Sequence, residues 1–264
     1  MKRVMIKISY DGTNYNGWQS GGIGTCIEDV INNHLKEITG EDIKIIGTSR
    51  TDSGVHARSN IAVFDTNSSI DSNVFYKALN AILPEDIRIL ESKEVSLDFH
   101  PRRCNTKKIY TYKVLNQKVQ DPLYRLYTYF VYHEIDLDKM KKAAELLVGE
   151  HDFAGFINPK SNIIQISKQK AEDNIEDENP KHTTIRTIYS IDITKDNNNI
   201  ITFKFCGNGF LYHQIRIMVG SLLRVGMNMW EVEKIKEILD GRDRKDAGPT
   251  VPACGLCLEE IIIE

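Results

Sequence analysis

No stretch of this chain is apolar for the roughly 20 consecutive residues that a membrane-spanning helix requires. The first residues, Met1-Lys2-Arg3-Val4-Met5-Ile6-Lys7, alternate charged and apolar side chains and hold no signal-peptide core, so a cytoplasmic protein is expected. Cysteine is scarce. Its five residues, at Cys26, Cys104, Cys206, Cys254 and Cys257, are odd in number and scattered, which does not suggest a disulfide framework. Cys254-Gly255-Leu256-Cys257 is formally a C-x-x-C, but no second pair and no nearby histidine complete a zinc site, so structural cysteines and no metal are expected. A strong basic excess is also missing. The net charge of −3 argues against an unselective nucleic-acid binder while leaving room for a local basic cleft.

What is present is an ordinary globular composition in 264 residues, enough for one large domain or two smaller ones. Val4, Ile6, Ile8 and Tyr10 alternate as a strand that ends at Asp11-Gly12. Thr25-Cys26-Ile27-Glu28 fits a capping box, and Ile27, Ile31, Leu35 and Ile38 mark one helical face closed by Gly40. Strands at 43–47 and 60–65, a helix around Val74, Ala78 and Leu79, and a strand at 87–95 complete a β-α-β-β-α-β order, the split ferredoxin-like pattern. A similar rhythm recurs: strands at 109–115 and 126–132, a helix at 137–148, strands at 187–194 and 200–206, helices at 210–225 and 230–239, and a strand at 256–263. The expectation is an α+β protein of two ferredoxin-like halves, residues 1–104 and 105–264, with antiparallel sheets flanking a central cleft. A polar stretch at about 158–183 reads as an insertion.

The densest chemistry lies in Gly47-Thr48-Ser49-Arg50-Thr51-Asp52-Ser53-Gly54-Val55-His56-Ala57, a loop between two strands. In an extended backbone Arg50 and Asp52 point the same way; alone, the pair reads as a surface turn with an ion pair. Lys108, Tyr110 and Tyr112 share one face of a strand, either to stack a base and hold a phosphate or to fill a core. The run Gly207-Asn208-Gly209-Phe210-Leu211-Tyr212-His213-Gln214-Ile215-Arg216 opens an amphipathic helix whose buried stripe holds Leu211, Ile215, Met218 and Leu222, with His213 and Arg216 on another face. Gly21-Gly22-Ile23-Gly24 lacks the spacing of a dinucleotide fingerprint.

In order along nearly the whole chain, the segment 10–19, the Arg50-to-Ala57 run, Phe99-His100 with Arg102, Lys108-x-Tyr110-x-Tyr112, His151-Asp152-Phe153, Thr184-x-Arg186-Thr187-Ile188, the run 208–216 with Val219-Gly220, and Gly255-Leu256 resemble the TruA family of tRNA pseudouridine synthases. The resemblance implies two ferredoxin-like halves around a cleft, a homodimer sharing each RNA, and uridines 38–40 of the tRNA anticodon stem-loop as substrate. By position, Asp52 matches the catalytic aspartate, Arg50 the arginine that helps displace the target nucleotide, Tyr110 the tyrosine that stacks on the base, and Arg216 the basic partner of the aspartate. His56, Arg58, Lys108 and His213 are expected to bind substrate. No cofactor is implied, because the isomerisation of uridine involves no redox change. A carboxylate must stay charged in a cleft that excludes water, and a nearby cation supports that state. A base that leaves its helical stack needs a wedge and a stacking ring.

The sequence departs from the family pattern in places. Thr48-Ser49 precedes Arg50, where a smaller residue and glycine are common, and Pro101 and Arg103 flank Arg102 in place of alanine and phenylalanine. The segment after Gln19 is shorter than usual. Three other readings compete: a related synthase acting at other RNA positions, a catalytically silent RNA-binding paralogue, and a small-molecule glycosidase, for which a carboxylate pair would be expected.

Overall fold

The computed structural model describes residues 1–19, 24–161 and 183–264. The architecture is α+β with mostly antiparallel strand pairing, and the chain divides into two compact units. Among the described residues no helix is long and apolar enough to cross a membrane.

The first unit contains Met1–Thr111 and Ala253–Glu264. Its strands are β1 (Lys2–Tyr10), β2 (Ile46–Gly47), β3 (His56–Thr66), β4 (Ile87–Val95), the first part of β5 (Thr106–Asn116) and the C-terminal strand β10 (Leu256–Ile263). Its helices are α1 (Ile27–Thr39) and α2 (Phe75–Asn80). Val4, Ile6, Ile8 and Tyr10 are buried along β1, the period-two pattern of a strand with one face on a core. β1 lies antiparallel between β3 (Ile6↔Ala62) and β4 (Ile6↔Ser92), and β2 joins β3 at Ile46↔Val63. The β-α-β-β-α-β order expected for residues 2–95 is therefore present.

Ile27, Ile31 and Leu35 give α1 its buried stripe, and Gly40 closes the helix in the left-handed region. The helix start differs from the capping box expected at Thr25. Cys26 is the cap, its Sγ accepting from the Asp29 N–H at 3.4 Å. The Ile27 and Glu28 N–H groups donate to the Gly17 and Trp18 carbonyls at 3.1 and 2.9 Å, so the preceding loop satisfies donors that a capping box would otherwise serve. The strand expected at 43–47 is only two residues long, because the Ile45 N–H turns to Asn32 Oδ1 on α1.

The second unit, Tyr112–Pro252, holds the end of β5, β6 (Tyr129–Val131), β7 (Gly149–Asp152), β8 (Ile185–Lys195) and β9 (Ile200–Gly207). Its helices are α3 (Leu137–Glu145), α4 (Gln214–Gly226) and α5 (Lys234–Gly241). β7, β8 and β9 pair antiparallel in sequence, as at His151↔Arg186 and Ile193↔Phe203. The strand expected at 126–132 shrinks to β6 because Tyr127 closes a local turn onto the Tyr124 carbonyl. β7 escaped the sequence reading, being short and polar. The helix expected from residue 210 opens at Gln214, after His213 adopts φ 64°, a left-handed conformation that interrupts helical geometry. Leu211 is nonetheless buried, so the apolar stripe continued through a turn and imitated one more helical turn. α4 is buried on most sides, with Ile217, Val219 and Leu223 covered as well as the expected stripe.

Two boundaries differ from the division at 104/105. The unit border falls inside β5, between Thr111 and Tyr112, and β10 clusters with the first unit, parallel to β3 at Cys257↔His56. Hydrogen bonding across strands outweighs proximity along the chain. Most of the polar insertion, residues 162–182, and residues 20–23 of the glycine-rich run lie outside the described residues.

Candidate active site

The Asp52 loop connects β2 to β3 and is clamped from beneath. Ser49 and Thr51 are buried while Arg50 is exposed and Asp52 half-buried, so the chain alternates as an extended segment does. Thr51 Oγ1 shares a hydrogen bond of 2.8 Å with Tyr10 Oη, and the Thr51 carbonyl accepts from the Trp18 N–H at 3.0 Å. Gly17, at φ 86°, passes so close that an added Cβ would lie 2.5 Å from the Thr51 oxygen. Beyond Asp52 the chain turns through Gly54, at φ 78°, with the Val55 N–H donating to the Asp52 carbonyl at 3.1 Å. The segment 10–17 thus acts as a bed for the loop, and buried Tyr10 is held protonated by desolvation.

Ser49 gathers the polar groups of the loop. Its Oγ lies 2.9 Å from Tyr110 Oη and accepts from Lys108 Nζ at 3.5 Å; its carbonyl accepts from Asn60 Nδ2 at 3.0 Å. Tyr110 is almost covered by protein, and burial pushes its phenol up to about 12, against the Ser49 hydrogen bond and reinforced by the Asp52 charge. Tyr110 and Lys108, read from the sequence as sharing one strand face, therefore meet at the Ser49 hydroxyl of the Asp52 loop, and the Asp52 charge is felt at Tyr110.

Arg50 lies beside Arg102, whose Nε donates to the Gly47 carbonyl at 2.8 Å. Burial and the Arg50 charge both lower the Arg102 pKa, while Glu28 at the start of α1 opposes them. Arg58 is exposed on β3 and pairs with Glu259 at 3.2 Å, whose other oxygen accepts from Thr111 Oγ1. His56 faces the protein. Its Nδ1 lies 3.0 Å from both the Gly12 N–H and Asp11 Oδ1, and its Nε2 lies 3.2 Å from the Cys254 carbonyl. These contacts tie the bed, the loop and the start of β10 together.

Arg216 and His213 belong to the second unit. Arg216, in the first turn of α4, donates from Nε to the Val251 carbonyl at 2.7 Å. His213 precedes the helix with Nδ1 2.9 Å from Asn158 Nδ2, so its proton sits on Nε2. Burial, with Arg216 and Arg244 nearby, drives its pKa down to about 4. Tyr112, grouped with Tyr110 by alternation, is a core residue of this unit, its hydroxyl donating to the Pro252 carbonyl at 2.8 Å.

A family model described as tRNA pseudouridine synthase matches residues 6–102 and 143–262. The chain is 41% identical over 261 residues, 99% of each sequence, to "tRNA pseudouridine synthase A 2" of Clostridium perfringens. It is 39% identical over 262 residues to "tRNA pseudouridine synthase A" of Thermoanaerobacter sp., covering 99% of this chain and all of the relative. A protein of that name from Clostridium acetobutylicum is 40% identical over the same length. The chain belongs to the tRNA pseudouridine synthase family.

In this synthase the residues that sequence reasoning passed over are those that hold the loop. Asn60 carries no motif of its own, and Ser49 registered only as a departure from pattern. Arg102 was visible as a basic residue, but not as the donor that fastens Gly47. No group of three or more metal-ligating side chains is present among the described residues.

Proposed function

We propose that this tRNA pseudouridine synthase isomerises uridines 38–40 of the tRNA anticodon stem-loop, acting as a cytoplasmic homodimer. The reading rests above all on the meeting of the Asp52 loop with Tyr110 and Lys108 around Ser49 in a chain of this family. Asp52 is the carboxylate that attacks or deprotonates the target nucleotide. The C1′–N1 bond breaks, the uracil turns, and C5 joins C1′; the C5 proton passes to solvent and N1 takes one up. Arg50, exposed beside Asp52, is the wedge that displaces the uridine, and Tyr110 is the ring that receives it. Arg216 supplies the cation that keeps the carboxylate ionised. Lys108 and Arg58 hold phosphates, His213 offers its Nε2 proton to the RNA, and His56 supports binding by fixing the loop.

The decisive experiment uses RNA transcribed with tritium at uracil C5. Release of label as water from an intact strand, stoichiometric with pseudouridine and without added metal, nucleotide or redox cofactor, is the expected result. A silent binder would shift the RNA and keep the label. A glycosidase would release labelled uracil and leave an abasic strand. Mapping the product to positions outside 38–40 would move the substrate assignment to another RNA site.

A further inference from the structure

Resting on that reading, we propose that Asp86, the residue before β4, is a positioning residue: through the side chain of Tyr15 it holds the turn that follows Asp52 and so aims the carboxylate.

The connection runs through three bonds. The Tyr15 hydroxyl donates to Asp86 Oδ1 at 2.6 Å, across 71 positions of chain. An ionised carboxylate only accepts, so the direction of this bond is fixed. Its length is that of a charge-assisted hydrogen bond, the stronger kind. Tyr15 is 7% exposed, and burial together with the Asp86 carboxylate holds its phenol protonated, so the donor stays in place. The Tyr15 carbonyl in turn accepts twice from the residues that follow Asp52: from the Gly54 N–H at 3.2 Å and from Ser53 Oγ at 3.3 Å. A carbonyl oxygen has two acceptor sites, and here both serve one turn, the one that bends at Gly54 with φ 78°. Asp86 is itself tied to paired strands. Its carbonyl accepts from the Asp11 N–H at 2.9 Å, and its neighbour Ile87 pairs with Tyr10 across β4 and β1. A group anchored on strands holds a loop more closely than another loop does. Tyr15 is therefore a strut between the β1–β4 frame and the catalytic turn.

A bond that only satisfied a buried phenol would cost stability and leave the chemistry alone; a strut costs rate at unchanged affinity. Tyr15→Phe and Asp86→Ala each cut the bond and leave Arg50, Arg58 and Lys108 in place. Each should lower kcat on tRNA about tenfold, roughly 1.4 kcal/mol and the worth of one hydrogen bond, with KM within about twofold. Asp86→Asn keeps an acceptor oxygen at the same place and should stay within about threefold of wild type. In the Tyr15→Phe background, Asp86→Ala should change the rate less than about twofold further, because both substitutions remove the same bond. In free protein carrying isotope-labelled glycine, the Gly54 amide resonance should move in Tyr15→Phe and Asp86→Ala. The resonance of Gly40, whose N–H donates to the Lys36 carbonyl at the end of α1, should stay in place. An unmoved Gly54 resonance, a kcat within about twofold of wild type in Tyr15→Phe or Asp86→Ala, an Asp86→Asn variant as slow as Asp86→Ala, or losses that add in the double variant would overturn the proposal. A wild-type chain that released no tritium would instead defeat the proposed function, and the Gly54 resonance would still decide whether Asp86 holds the turn.

Discussion

Gly17→Ala tests whether the bed beneath the Asp52 loop sets the position of the carboxylate. The substitution forces a methyl group to within 2.5 Å of the Thr51 oxygen, 3.0 Å of the Asp52 carbonyl carbon and 3.1 Å of the Ser53 nitrogen. Ordinary contact begins at 3.4 Å, so the two strands of backbone must separate by about 0.9 Å, the difference between 3.4 and 2.5 Å. All three neighbours are main-chain atoms, and no flexible side chain can absorb the movement. The position also sits at φ 86°, where an L-residue pays roughly 1–2 kcal/mol, and overpacking adds about 1–3 kcal/mol. Stability should therefore fall by about 2–5 kcal/mol, read as a lowered unfolding midpoint. A shift near 1 Å in a reacting group costs on the order of a hundredfold in rate, so kcat for tritium release should drop about that far. Affinity for tRNA should change little, because the cations stay in place. Gly17→Asn relieves part of the backbone strain but keeps the Cβ, so it should recover stability without recovering rate. A variant with kcat within threefold of wild type would refute the idea that segment 10–17 positions Asp52.

Asp52→Asn should keep the fold and tRNA affinity and reduce turnover by more than about a thousandfold, since it removes the anion while preserving shape; wild-type-like turnover in the purified variant would reassign the catalytic carboxylate. Arg58→Ala and Lys108→Ala should each flatten the slope of log affinity against log salt by somewhat less than about one unit, and an unchanged slope would place that cation away from phosphate. His213 has a folded pKa near 4 against 6.5 unfolded, so between those values the unfolded chain binds more protons. Stability should fall as pH drops from about 6.5 to about 4 and be restored as pH rises, with His213→Asn flattening this dependence in urea unfolding; an equal slope in wild type and variant would mean other groups dominate.

The parts of the fold that were legible are those where local pattern and long-range pairing agree. β10 was read at its observed limits, Leu256–Ile263, and β4 likewise at Ile87–Val95, because nothing nearby competes with their strand character. α4 misled at its start, since Leu211 is as buried as a helical residue but sits in a turn that His213 ends in the left-handed region. The cap of α1 misled for a related reason: its N–H groups are satisfied by Gly17 and Trp18, whose approach only the folded chain discloses. Which unit holds β10 was equally hidden, because parallel pairing with β3 leaves no local trace.

For the site, side-chain chemistry was legible and side-chain partnership was not. Arg50, Asp52, Tyr110 and Lys108 could be named because they stand in motifs that resemble the family's, with residue types that suit the chemistry the resemblance implies. Ser49 could not, since its value lies in reaching a strand 61 positions further along. The same division explains how a chain of net charge −3 can hold a polyanion. Glu259 is committed to Arg58 and Thr111, and Glu28 stands by Arg102 and Arg50 within the first unit. Burial first and then the Arg50 charge lower the Arg102 pKa while Glu28 opposes them, so two guanidiniums and one carboxylate act on one another in this part of the first unit. An RNA phosphate brought near this pair would gain from both guanidiniums and relieve their mutual repulsion, a local effect that a whole-chain charge count averages away. Net charge limits how a protein meets nucleic acid at long range; on contact a phosphate responds to local groups, not to the whole-chain sum.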